Sequence, residues 1–363
     1  MILSATSLAL LGLLPFANAA PHCIRDNTTH WTNLASLPIR QQEQTTVVLD
    51  DTTIALVAGV GFVGDESMQT GVETINLVQL YDIPSDTWSV GTPAPFKVNH
   101  PNVAAVDGKI YLLGGLIDRK TPPLPTADWQ ASGESHVYDP TTDSWTQLES
   151  MPPGTERGSA VIGVHNEMIY LAGGMTILAI EYSDAVTSVI AFNTTSGSWQ
   201  RPPPIAANIP EGRQHAVGAV YDDTFYVVGG RWFEKTNVRD TVFKLDLNDM
   251  EAGWTTSESR MPTPRGGICG AVVDGTLYTF GGEGQRPSHT GIFPNVEAFN
   301  LETEEWTELE HMPVPRHGTS AVSVGNKIYI PGGGLQDDGY PVEYEDGVVR
   351  FLNMSTHFDA LVV

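Results

Sequence analysis

Histidine and arginine are the side chains in this sequence best placed to do chemistry. His100, His215, His289 and His317 are the candidate catalytic groups. An imidazole or guanidinium aimed into a dry pocket can polarise a carbonyl or stabilise an oxyanion. Arg157, Arg213, Arg265 and Arg316 recur at regular spacing, each entering a run of small residues. They are candidate substrate contacts, and their regularity equally suits a structural role in satisfying backbone carbonyls. Trp129, Tyr182, Trp232, Phe233, Phe293 and Tyr340 lie in long stretches between apolar runs and are the candidate lining for a small hydrophobic substrate. The alternative for each is packing of its own loop.

Several chemistries find no support. There is no G-x-S-x-G elbow, H-E-x-x-H pair or phosphate-cradling loop. Two cysteines, Cys23 and Cys269, cannot build a four-thiolate zinc site. Acid pairs such as Asp337-Asp338 read as solvated turns. The expectation is therefore a protein without metal or cofactor. A formal charge of −24 repels phosphate backbones and anionic bilayers, which argues against nucleic-acid and membrane partners.

Residues 1–19 have the form of a cleaved signal peptide, with an apolar core from Leu8 to Phe16 and a small-x-small end at Ala17-Asn18-Ala19. Secretion or residence in the secretory lumen is expected. Asn27, Asn193 and Asn353 open N-x-S/T sequons and are expected glycosylation sites. In that compartment Cys23 and Cys269 either pair as a disulfide or remain separate thiols.

The elements that position these groups announce themselves by repetition. Apolar strands end in glycine at Gly59, Gly115, Gly174, Gly230, Gly282 and Gly333, in steps of 56, 59, 56, 52 and 51 residues. Trp31, Trp88, Trp145, Trp199, Trp254 and Trp306 keep the same step. Tyr81-Asp82, Tyr138-Asp139, Phe192-Asn193 and Phe299-Asn300 precede tryptophans, and an arginine follows at Arg40, Arg157, Arg213, Arg265 and Arg316. Blade two has Asn99-His100 instead. Four markers in this order resemble the kelch repeat over roughly residues 31–355.

That resemblance implies an all-β fold, a six-bladed kelch-type β-propeller occupying residues 20–363 as one domain. A lone four-stranded sheet cannot bury both faces, so blades must stack into a ring. The register expects the N-terminal strand near Trp31 to complete the last blade as its outer strand. Three C-terminal strands supply the rest, the third being Val348 to Asn353. A closed ring has no free sheet edge, so a monomer is expected. Strand alternation places the long second-to-third-strand loops together on one face.

The leader, size and aromatic loops further resemble secreted fungal kelch proteins such as the hetero-Diels–Alderases of tropolone–sesquiterpenoid biosynthesis. This implies a cofactor-free enzyme of secondary metabolism that joins a tropolone quinone methide to a polyene such as humulene. Such catalysis needs a shaped pocket and one or two hydrogen-bond donors to the enone oxygen. The alternatives are a secreted binding module for glycan or protein, and a metal-dependent oxidase.

Overall fold

In each blade the second strand is largely buried and the outer, fourth strand is the most exposed, and their composition follows. Blade four shows the pattern. Thr224–Val228, its second strand, is buried on both faces and reads Thr-Phe-Tyr-Val-Val. Thr255–Thr256, its fourth, is polar and exposed. The computed structural model describes residues 29–62, 72–120, 127–179, 182–285 and 288–363. The expected signal peptide, Cys23 and Asn27 lie outside the described residues.

Blade one pairs Thr45–Asp50, Thr53–Phe62, Val72–Asp82 and Thr87–Val90 in that order. Blades three, four and five repeat this antiparallel order. Blade two carries an added hairpin, Ile177–Ala179 with Tyr182–Ser183, on its lengthened third strand Asp128–Asp139. The fold is the six-bladed propeller. Among the described residues the only helical element is a short turn, Met250–Ala252, and no helix is long and apolar enough to cross a membrane.

The last blade closes as expected, with one correction. Its order is His30–Asn33, Phe358–Val362, Lys327–Pro331, Val322–Val324. The third strand is thus Phe358–Val362 rather than Val348–Asn353. The latter stretch belongs to the long connection, where Val349–Arg350 pairs with Val342–Glu343. Phe351 there is 60% exposed, which a marker residue between blades cannot be.

The repeat tryptophans tie neighbouring blades. Trp88, Trp145, Trp199 and Trp254 each donate Nε1–H to a backbone carbonyl of the preceding blade, at Ala35, Thr92, Glu149 and Ala206, over 2.7 to 3.1 Å. The double glycines let blades approach closely. At Gly281, in the left-handed region with φ 58°, a Cβ would sit 2.0 Å from the Arg316 carbonyl oxygen.

Candidate functional site: a ring of residues on the propeller axis

The chain enters the first strand of every blade through a residue with left-handed backbone. These are Glu43, His100, Ser159, His215, Gly267 and Gly318, with φ between 46° and 63°. They join blade to blade around the axis. Glu43 N–H donates to Gly318 O (2.6 Å), His100 to Glu43 (3.0 Å) and Ser159 to His100 (2.9 Å). Gly267 donates to His215 (3.1 Å) and Gly318 to Gly267 (3.2 Å). His215 N–H closes the circle on Ser159 Oγ (3.0 Å). Four non-glycine residues held left-handed store backbone strain, which clusters where geometry serves function.

Glycine at two ring positions makes room for the side chains of the others. A Cβ at Gly318 would lie 2.5 Å from Glu43 Oε1. Glu43 Oε2 reaches His100 Nε2 at 3.1 Å and His215 Nε2 at 3.9 Å. The two Nε2 atoms are 3.1 Å apart. All three residues line an axial cavity of about 230 Å³ whose walls include Ala160, Ala216 and Ala321, each just before the first strand of its blade. Burial pushes the Glu43 carboxyl up. Burial, then the Arg231 charge, drives His100 down to about 3 and His215 well below its usual range.

A second layer comes from the residue after each glycine pair. On blades one to three it is apolar, Val60, Leu116 and Met175, which pack with Trp129 and Met354. On blades four and five it is Arg231 and Glu283, joined at 2.7 Å. Lys235 Nζ reaches Glu283 Oε2 (3.1 Å), the Asp337 carboxylate, and the Asp338 carbonyl (2.9 Å). The loop face is therefore split into an apolar half and a charged half. Burial raises Glu283, but Lys235, His317 and Arg231 outweigh it and hold that carboxyl well below its usual range. Burial lowers His317, yet Glu283, Asp338 and Glu43 together raise it. Burial lifts Asp337 and Asp338 to about 6.

The structure brings together three of the four candidate histidines. His100 and His215 are ring residues. His317 stands beside Glu283 and Asp338 at 3.7 and 3.9 Å. His289 is exposed and meets the Glu343 carbonyl instead. The four arginines are corrected from substrate contacts to blade-internal groups. Arg157 donates to the Gly173 and Ser188 carbonyls, Arg213 to Glu211 and Thr241, while Arg265 and Arg316 pair with buried Glu297 and Asp359. All four are among the most deeply buried large side chains.

Trp129 is buried, donates to Asp118, and its ring centroid lies 5.6 Å from that of His100. Phe293 is buried. Tyr182, Trp232 and Tyr340 are exposed on the loop face. Phe233, beside Trp232, accepts hydrogen bonds at its carbonyl from Ser183 and Gln214. Cys269 is a buried thiol pushed up to about 12 by that burial, and Cys23, its alternative disulfide partner, lies outside the described residues. Asn193 accepts from the Ser196 N–H through Oδ1, the turn role that Asp82 plays in blade one.

Glu43, Arg231, Lys235 and Glu283 were not singled out by residue type, and Asp337-Asp338 was read as a solvated turn. Asp337 is buried among charges rather than in a solvated turn. The signal for two of them was positional: the ring residue lies two past the arginine marker in blades three to six, an offset that Arg40 does not share with Glu43, and Arg231 and Glu283 lie one past the glycine pair.

A KLHDC2/KLHL20/DRC7 kelch-repeats domain matches residues 21–230 and 181–356. Kelch-like protein terF of Aspergillus terreus is 37% identical over 312 residues, covering 84% of this chain and 64% of that protein. Kelch-like protein 36 of Bos taurus is 25% identical over 331 residues, 90% of this chain and 49% of that one. The chain thus spans about half to two thirds of the length of these relatives. The solved structure of YjhT shares the fold, with a TM-score of 0.67 at 16% identity over 91% of this chain and 97% of that one.

Proposed function

We propose, since this chain belongs to the kelch-repeat family, that it is an enzyme of fungal secondary metabolism acting on an apolar small molecule that carries a carbonyl oxygen. The observation that carries this reading is Lys235. Its side chain is 27% exposed, with its ammonium 5.7 Å from the centre of the Tyr340 ring and on the same loop as Trp232 and Phe233. Burial alone would lower its pKa, but Glu283, Asp337 and Asp338 raise it, so the group stays a cationic donor.

An ammonium beside an aromatic ring can hold a carbonyl oxygen by exchanging its bond to the Asp338 carbonyl for one to the substrate, while the rings contact an apolar body. The finer form of the proposal is a hetero-Diels–Alder reaction between a tropolone quinone methide and a polyene. The four-atom O=C–C=C unit and an alkene close a six-membered ring with one new C–C and one new C–O bond. No atom leaves and no electron is gained or lost overall. Positioning of both partners and hydrogen bonding to the enone oxygen are then sufficient assistance. Passage through the secretory pathway and a monomeric state belong to the same reading.

The test incubates protein from a eukaryotic host with an in-situ-generated tropolone quinone methide and humulene. Wild type should accelerate formation of one stereoisomer. Lys235→Met should slow it about 10²–10³-fold, the usual cost of losing one such donor. Wild-type product no faster and no more selective than the uncatalysed reaction sinks the proposal. The exposed Tyr182, Trp232 and Tyr340 also favour a second reading, a glycan-binding face; saturable binding of an oligosaccharide that is lost in Trp232→Ala would select it.

A further inference from the structure

Hydrogen bonding fixes both ring imidazoles in the same tautomer. Asp118 can only accept, so Thr74 donates its hydroxyl hydrogen to it (2.5 Å). Thr74 Oγ1 then accepts from Asn99 Nδ2 (2.7 Å), which leaves Asn99 Oδ1 facing His100 Nδ1 at 2.7 Å. His100 therefore carries its proton on Nδ1. Gln214 Nε2 donates to Ser183 Oγ (2.9 Å) and to the carbonyls of Asp184 and Phe233 (3.0 Å each). Gln214 Oε1 thus faces His215 Nδ1 at 2.5 Å, and His215 too is protonated there. Each Nε2 presents a lone pair, and the two lie 3.1 Å apart beside one carboxylate oxygen. Three electron-pair donors thus converge on one point, with Arg231 Nη2 as the present partner of the His215 lone pair.

We infer that Glu43, His100 and His215 form a binding site for a divalent first-row transition ion on the propeller axis. A triangle with sides of 3.1, 3.1 and 3.9 Å has a circumscribed radius of about 2.0 Å, the bond length of such an ion to imidazole nitrogen and carboxylate oxygen. Imidazole ligands that donate their other N–H to a fixed acceptor have the usual outer-shell arrangement of metal-bound histidine. Two imidazoles and one carboxylate suit zinc, iron, copper or nickel rather than calcium or magnesium. Three protein ligands leave coordination positions open, and all three residues line the axial cavity. Arg231 Nη2 now meets His215 Nε2 at 3.1 Å and gives up that contact when the ion binds. Its bonds to Glu283 (2.7 Å) and Gln214 (3.1 Å) keep it in place. The inference does not depend on Lys235 or on any substrate.

The test strips the full-length protein with a chelator and titrates it with cobalt(II). Wild type should bind one equivalent, develop visible ligand-field absorption, and lose that spectrum as zinc displaces cobalt. His100→Ala and His215→Ala should abolish the spectrum. Asn99→Ala and Gln214→Ala, which free the imidazoles without removing them, should weaken binding about 10–100-fold. Circular dichroism establishes that each variant is folded. The rival is a proton in the ion's place, with a neutral Glu43 carboxyl donating to His100 Nε2. Folded wild type that gives no cobalt spectrum, with an infrared carboxylic-acid band that disappears in Glu43→Gln, overturns the metal site. So does cobalt binding that survives both histidine substitutions.

Discussion

Arg265→Met separates a structural arginine from a substrate-binding one. The guanidinium Nη1 lies 2.9 Å from Glu297 Oε2, with the two side chains 0% and 1% exposed. Removing the arginine leaves a carboxylate buried inside blade five without its counter-charge. Breaking one partner of such a pair costs about 3–5 kcal/mol. An unfolding entropy of about 2.1 cal/mol/K per residue gives about 0.7 kcal/mol/K for a propeller of roughly 340 residues, so Tm should fall by about 4–7 °C. Replacing both partners with apolar groups of similar volume, in Arg265→Met/Glu297→Leu, should restore most of the loss, because a buried pair gains little net energy over good packing. Calorimetric unfolding of the three proteins checks this. A double variant as unstable as the single, or a single variant with unchanged Tm, refutes the reasoning. If Arg265 instead held substrate, activity would drop with Tm unchanged.

Three further outcomes follow from named contacts. Gly281→Ala places a methyl group against the Arg316 carbonyl in a left-handed conformation and should cost about 2 kcal/mol or more in denaturant titration; unchanged stability would deny the close blade approach. Trp88→Phe removes the 2.7 Å bond to the Ala35 carbonyl at the closing seam and should cost about 1–3 kcal/mol, read as a lower denaturation midpoint at unchanged slope. Asp337 is held up at about 6, by burial first and Glu283 second, against an ordinary value of 3.8, so the folded state binds its proton more tightly than the unfolded chain. That contribution is full below pH 3.8 and is lost as pH rises through 6. Asp337→Asn should therefore be more stable than wild type at pH 8, by at most about 3 kcal/mol, and lose that advantage below about pH 4. A pH-independent difference would contradict it.

The blades were legible because each marker does the same local job six times. Tryptophan fills a wedge and finds a carbonyl, and glycine lets backbones approach. The third strand of the last blade was misplaced because Phe351-Leu352-Asn353 imitates a marker inside a loop that carries its own hairpin. The axial site was half legible. His100 and His215 drew notice as residue types, but Glu43 sits in Gln41-Gln42-Glu43-Gln44 and resembles a polar linker. The register hid it further. Gln41, not Arg40, occupies the arginine position of blade one, donating to the Ala58 carbonyl and accepting from Gln79. In blade two that position is Val98. Counting two residues onward from Gln41 and Val98 arrives at Glu43 and His100.

A pseudo-sixfold ring also explains why the chemistry collects where it does. Residues near the axis, in the ring and in the layer one past each glycine pair, meet their equivalents from other blades; positions farther out meet a neighbour of a different kind. Substitution at the ring position therefore acts on a shared centre, while substitution farther out acts on one seam. Glu, His, Ser, His, Gly and Gly occupy the ring, and the glycines matter as much as the histidines. With a side chain at Gly318 the Glu43 carboxylate could not lie where it does, 2.5 Å from the place that Cβ would take. The backbone hydrogen bonds around the axis hold this composition in register, since each ring residue spends its N–H or C=O on the next blade. A functional centre made this way needs no motif along the chain. It needs one position per repeat to be free of the repeat's structural duties, which the deeply buried arginines two residues upstream perform on its behalf in four of the six blades.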